Sequence, residues 1–190
     1  PTERGTGIEF VNSIVGGAIS KGYIPAVEKG VQEKAAEGVL AGYPLIDFQV
    51  ELYDGKEHSV DSSEMAFKIA GARALVEASQ KAKPILLEPI VNMEIIVPSE
   101  FMGDITGGLS GRRGRIQGMD AEGPNQVIRA TAPLSEVMDY SSELNSITAG
   151  KGTFSMEFSH YEQVPSQLAQ KVIEASKSVK KEEEKKMDYN

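Results

Sequence analysis

Val91-Asn92-Met93-Glu94-Ile95-Ile96-Val97-Pro98 alternates apolar and polar side chains up to a proline, the pattern of a half-buried strand. Working outward from it, Phe101, Ile105 and Leu109 recur four apart, a narrow helical stripe. Two short strands follow, Gly114–Asp120 and Gln126–Thr131, joined by the turn-rich Ala121-Glu122-Gly123-Pro124. Leu134, Val137, Met138, Ser141 and Leu144 predict a second helix, and Phe154, Met156 and Phe158 a last strand. The order βαββαβ is that of a ferredoxin-like domain. His160 continues the parity of the last strand and reads as a structural strand-end residue.

The half before it has a different pattern. Gly16, Gly17 and Gly22 punctuate a loop-rich opening in which only Ile8–Val15 reads as a short element. Ile24, Val27, Val31 and Ala35 then fall at helical spacing, with Pro25 suited to the first turn and Gly38 to the stop. Ile46, Phe48, Val50 and Leu52 alternate with Asp47, Gln49 and Glu51, which predicts a strand with the acidic and amide side chains facing water. Asp61 reads as a helix N-cap with Glu64 three residues on, a capping box. Met65, Ile69, Ala72 and Val76 form the expected buried stripe of that helix. Pro84 and Pro89 bracket a connection, so the expected domains are 1–86 and 87–164, an α+β chain. Residues 165–190 follow: Leu168, Val172, Ile173 and Val179 make an amphipathic helix, and the charge run Lys180–Lys186, with no apolar partner, predicts a disordered tail.

Composition narrows the function classes. The chain has 190 residues and a net charge of −8, with no Cys. Residues 1–88 carry 9 basic and 13 acidic groups, and 89–165 carry 5 and 10, so both halves are acidic. That argues against a DNA binder and confines any RNA contact to small local clusters. No cysteine means no disulfide framework and no thiolate nucleophile. No apolar run approaches the ~20 residues of a membrane span, so a membrane partner is not expected. His58, Asp61 and Ser62 or Ser63 are too close in sequence for a hydrolase triad and lack a nucleophile elbow. His58 and His160 lie in different domains without a third ligand at suitable spacing, so no metal site is expected.

Several motifs then occur in one order. They are Tyr23-Ile24-Pro25-Ala26-Val27-Glu28-Lys29-Gly30, Leu40-Ala41-Gly42-Tyr43-Pro44 and His58-Ser59-Val60-Asp61-Ser62-Ser63-Glu64 with Ala66-Phe67-Lys68. Leu87-Glu88-Pro89-Ile90, Gly103-Asp104-Ile105, Arg112-Arg113-Gly114, Pro133-Leu134-Ser135-Glu136 and Met156-Glu157-Phe158 continue the series. Together they resemble the carboxy-terminal region of bacterial elongation factor G, the ribosomal translocase, from about Gly7 to about Ala175.

The resemblance implies an N-terminally truncated fourth domain with a left-handed βαβ crossover, then a ferredoxin-like fifth domain and a C-terminal helix. It implies a cytoplasmic, monomeric, ribosome-binding part of a translational GTPase. The fourth-domain tip would enter the 16S decoding region beside tRNA and mRNA, through Gly16, Gly17, Lys21, Lys56, His58, Ser59 and Asp61. The fifth domain would dock on the large-subunit stalk base and sarcin-ricin loop, where Arg112, Arg113 and Arg115 form its densest basic cluster. Those arginines also stand at a helix end, where cations complement the dipole. No phosphate loop GxxxxGK[ST] occurs, so GTP and Mg would belong to a GTPase domain outside this sequence, and this chain is expected to carry no catalysis and no cofactor. Departures near Gly108 and at Asn145 fit a divergent paralogue, including one devoted to ribosome recycling or tetracycline-type ribosomal protection. The sheet is not expected to read RNA bases, since Thr153 and Ser155 occupy the positions where stacking aromatics would stand.

Overall fold

The structure, a computed structural model, describes residues 1–187, with side-chain surroundings as far as Val179. It divides into two compact units, Pro1–Ile85 together with the helix that starts at Ser166, and Leu86–Pro165.

In the first unit β1 (Ile8–Asn12), α1 (Ile24–Glu37), β2 (Phe48–Leu52) and α2 (Glu64–Ala82) follow in order. The two strands pair in parallel, from Ile8 opposite Phe48 to Asn12 opposite Leu52, so α1 is the crossover of a βαβ unit. β2 starts two residues later than its alternation implies. Asp47 adopts a left-handed φ of 59° and turns inward, where its Oδ1 accepts the N–H of Gly5 and of Gly7, each at 3.1 Å. This corrects its expected solvent-facing position: it is buried as a loop staple.

Two corrections concern α2. Its N-cap is Ser63, whose Oγ accepts the Ala66 N–H at 3.1 Å, and not Asp61, which is exposed. The buried stripe is Phe67, Gly71, Leu75 and Ser79, while Met65 and Ile69 are exposed. Glycine decides this register. A Cβ on Gly30 would lie 2.0 Å from the Lys68 carbonyl oxygen, and one on Gly71 would lie 2.7 Å from that of Val27. The two helices therefore approach backbone to backbone along the glycine face, and the apolar residues beside it are turned outward. Small clusters around Ile19, Val27 and Phe67 and around Val31, Ala35 and Leu75 fill the rest.

The second unit is β3 (Leu87–Pro98), a 3-10 turn (Ser99–Phe101), α3 (Met102–Gly111), β4 (Arg115–Glu122), β5 (Asn125–Pro133), α4 (Leu134–Val137), α5 (Tyr140–Thr148) and β6 (Thr153–Gln163). The antiparallel sheet has the order β4-β5-β3-β6, that of a ferredoxin-like fold. One core holds Val91, Met93, Ile95 and Val97 of β3 against Ile105, Leu109, Val137, Tyr140 and Leu144. The expected single helix from Leu134 is two, because Val137, Tyr140, Leu144 and Thr148 are the buried positions and Met138 is left exposed between them. In β6 the register slips so that Val91 pairs with Phe158 and Ile90 with His160. The extra residue, Ser159, reverses the parity, and His160 lies on the face opposite Phe158 rather than continuing it. Phe154 packs on the core, whereas Met156 and Phe158, paired with Met93 and Val91 on the same face, are exposed.

Helix α6 spans Ser166–Met187. The backbone stays helical through Lys180–Lys186, where a disordered tail was expected, since Lys and Glu are intrinsically good helix formers. The last three residues of that tail, 188–190, lie outside the described residues.

Candidate nucleic-acid interface

Because β1 and β2 run parallel, the loops that leave their carboxyl ends emerge on the same side. The loop after β1 carries Gly16, Gly17 and Lys21, and the loop after β2 carries Lys56, His58, Ser59 and Asp61. All seven residues are exposed, so the parallel pairing gathers into one tip residues separated by about forty positions. Gly16 and Gly17 have φ of 67° and 69°, a left-handed pair that only glycine adopts without strain.

The tip has internal order. Ser20 N–H donates to Glu57 Oε2 at 2.7 Å, bridging the two loops. Gly55 backs onto the buried Ile19, where a Cβ would meet Cδ1 at 2.3 Å. His58 is held by its backbone: its N–H donates to Ser62 Oγ at 2.8 Å and its carbonyl accepts the Ser62 N–H at 3.2 Å. Tyr23 stacks on Phe67 at 4.7 Å between ring centroids, anchoring the start of α1 to α2. Among the described residues the His58 ring has no hydrogen-bond partner, and Lys21 and Lys56 have no ion-pair partner. Hydrogen bonds from the Ser20 hydroxyl and N–H hold the Glu57 carboxyl below the usual carboxylate range. Sequence patterning did not single out Glu57, Ser20 or Ser62 as a unit, because a contact across 37 positions leaves no periodic trace.

Beside the tip lies an open groove of about 520 Å³ with apolar walls from Pro25, Ala26 and Met65 and cations from Lys29 and Lys68. Lys68 is paired with Glu33 at 2.6 Å. The Ser63 hydroxyl is used as the α2 cap, and Ser62 Oγ accepts from backbone, so neither is arranged as a nucleophile beside the His58 ring.

The arginine cluster of the second unit stands at a helix end, as its position in the sequence implies. Helix α3 ends in a Schellman-type turn: Gly114 N–H donates to the Leu109 carbonyl at 2.7 Å, and Arg113 takes the left-handed position at φ 57°. Arg112 donates to the Glu136 carbonyl at 2.7 Å and pairs with Glu143. Arg113 meets Glu88 through two bonds, at 2.6 and 2.9 Å, and Glu136 Oε1 through Nε at 3.0 Å. Hydrogen bonds donated to Glu88 and Glu136 raise the Arg113 pKa further above its already high ordinary value. Arg112 and Arg113 thus tie the end of α3 to β3, α4 and α5 through the Glu88, Glu136 and Glu143 carboxylates and the Glu136 carbonyl. Arg115 is the exposed member, with one contact to Glu162 at 3.5 Å. The sheet face turned away from the helices carries the Arg129–Glu94 and Arg129–Asp120 ion pairs and, among the described residues, offers no stacked aromatic platform.

Among the described residues no helix is long and apolar enough to cross a membrane. The sequence matches two family models: "Elongation factor G, domain IV" over residues 1–83 and "Elongation factor G C-terminus" over residues 85–172. The fold is similar to that of a protein from Thermus thermophilus known from a crystal structure, with 42% identity and a TM-score of 0.79. The match covers 91% of this chain and 26% of that one, so the chain spans about a quarter of that relative's length.

Proposed function

From the premise that this chain belongs to the elongation factor G family, carrying its fourth and carboxy-terminal domains, we propose that it engages the ribosome during movement of tRNA and mRNA. The observation that carries this reading is the convergence of two loops on one tip with the His58 ring and the Lys21 and Lys56 ammonium groups exposed. An imidazole can stack on a base or ribose and donate to a phosphate or 2′-hydroxyl, and two flanking cations supply the phosphate attraction that the acidic remainder lacks. The chain contains no GTPase domain, and GTP and Mg would act in another part of the full factor. Its work is recognition by shape and local charge, in the cytoplasm, with the decoding region of 16S rRNA as the tip's partner.

For the second domain we assign contact with large-subunit rRNA to Arg115, whose guanidinium is exposed, and a structural role to Arg112 and Arg113. The test of the tip is His58→Ala in a full-length factor. Translocation should slow while single-round GTP hydrolysis stays near normal; equal loss of both, or of neither, contradicts the assignment. For the second domain, Arg115→Glu should flatten the salt dependence of ribosome binding, because fewer counterions are released, whereas Arg112→Glu should lower melting and leave that slope unchanged.

A further inference from the structure

We propose that Glu57 is a positioning residue whose bond to Ser20 locks the two tip loops together, so that Lys21, Lys56 and His58 meet RNA as one surface. The proposal rests on the reading of the tip as an RNA-contacting element. Glu57 stands between Lys56 and His58 in sequence, and Ser20 stands beside Lys21. The 2.7 Å bond between them therefore sets the spacing of all three RNA-facing groups at once. Packing of Gly55 on Ile19 brings the loops into contact, but Ile19 is buried and presents nothing to a ligand. The bonds between Ser62 and His58 fix the His58 backbone to the start of α2, and the Tyr23 hydroxyl reaches the Ser62 carbonyl only at 3.5 Å, at the foot of the loops and away from Lys21 and Lys56 in sequence. Among these contacts the Glu57–Ser20 bridge is the short polar link between the two loops and the one adjacent in sequence to Lys21, Lys56 and His58. It lies outside the buried clusters, so its loss should loosen the tip without unfolding the unit.

A carboxylate at a surface meant for phosphates is otherwise a liability, because like charges repel. Its presence there makes sense if the geometry it imposes outweighs that repulsion, and this gives the proposal a sign that charge alone does not predict. Glu57→Ala removes the negative charge and the bridge together. Glu57→Gln removes the charge and keeps an oxygen that accepts the Ser20 N–H.

The experiment measures binding of the 190-residue chain and its variants to purified small ribosomal subunits. Melting and hydrogen exchange at the Ser20 amide are followed on the same samples. Positioning predicts that Glu57→Ala weakens binding roughly two- to tenfold, the scale of ordering a loop, with faster Ser20 exchange and unchanged melting. Glu57→Gln should bind at least as well as the parent chain. If both variants bind more tightly, charge governs and the proposal is wrong. If Glu57→Ala lowers melting in step with affinity, Glu57 is a fold residue and the proposal is equally wrong. His58→Ala separates the two levels: weakened binding there, with Glu57→Ala silent, overturns the positioning role alone. Silence of both, or no binding by the parent chain, overturns the reading of the tip itself.

Discussion

Gly30→Ala tests the feature on which the first unit depends. An added methyl would stand 2.0 Å from the Lys68 carbonyl oxygen and 2.8 Å from its carbon. That is about 1 Å inside any ordinary contact and aimed at backbone, so α1 and α2 must separate. Val27, Val31, Phe67 and Leu75 line the seam and are buried. A gap of about 1 Å forfeits a quarter to a half of each dispersion contact, and each of the four side chains contributes ~2 kcal/mol when buried, so the gross loss is about 2–4 kcal/mol. Alanine returns about 1 kcal/mol of helix propensity, leaving a net destabilisation of about 1–3 kcal/mol. For a unit of this size that lowers Tm by roughly 4–24 °C. Calorimetry of the chain, with hydrogen exchange of the α1 amides to identify which unit opens, reads it directly. Gly107→Ala is the matched control, since open space surrounds that position in α3 and the same substitution should stabilise the second unit by up to ~1 kcal/mol. A neutral or stabilising Gly30→Ala would refute the backbone-to-backbone approach of α1 and α2. Since both helices begin at the tip loops, Gly30→Ala should also weaken ribosome binding, whereas Gly107→Ala should not.

Arg113→Ala should destabilise the second unit by about 1–2 kcal/mol, because Glu88 and Glu136 lose their partner; Arg113→Gly should cost ~1 kcal/mol less, as glycine takes φ 57° without strain, and paired thermal melts compare them. The buried Tyr140 hydroxyl makes no hydrogen bond among the described residues, so Tyr140→Phe should be neutral or stabilising by ~1 kcal/mol in chemical denaturation. Burial first, then the nearby Glu143 charge, pushes the Tyr140 pKa up to about 12 from 10.0, so its contribution is complete below pH 10 and is lost as pH rises through 12, up to ~2–3 kcal/mol; an alkaline denaturation series should show this loss shrink in Tyr140→Phe. The Glu57 carboxyl is shifted the other way, held down by Ser20; the loop bridge is intact above the ordinary glutamate range and lost as pH falls through a lower folded value. The Ser20 amide shift followed by NMR should titrate with a midpoint below 4.5, and a midpoint at or above that value would contradict the bridge.

Much of this protein was written in local pattern. The alternation Val91–Val97, the spacing Phe101–Ile105–Leu109 and the turn before Pro124 determine the ferredoxin-like order, because a strand or helix with one apolar stripe has few ways to bury it. The ordered motifs from Tyr23 to Phe158 led to the family by resemblance, and the family matches cover the same stretch. Composition also required any nucleic-acid contact to be narrow, and the structure leaves Lys21, Lys56 and His58 exposed.

Tertiary structure decided what periodicity could not. Met65–Ile69 and Phe67–Gly71–Leu75 are both credible stripes on α2, and the choice fell to Gly30 and Gly71, which admit another backbone where a side chain cannot go. Asp47 follows the strand's parity in sequence, yet two free N–H groups forty positions away draw it inward. Arg112, Arg113 and Arg115 look alike as a basic run; only the folded positions of Glu88, Glu136 and Glu143 separate two arginines held in ion pairs from one largely exposed to solvent. The Ser20–Glu57 bridge belongs to the same class. Local pattern records what a residue's own element requires. The direction in which a charge or a glycine is used depends on partners brought close by the parallel pairing and the close approach of helices, and those partners lie far away in sequence.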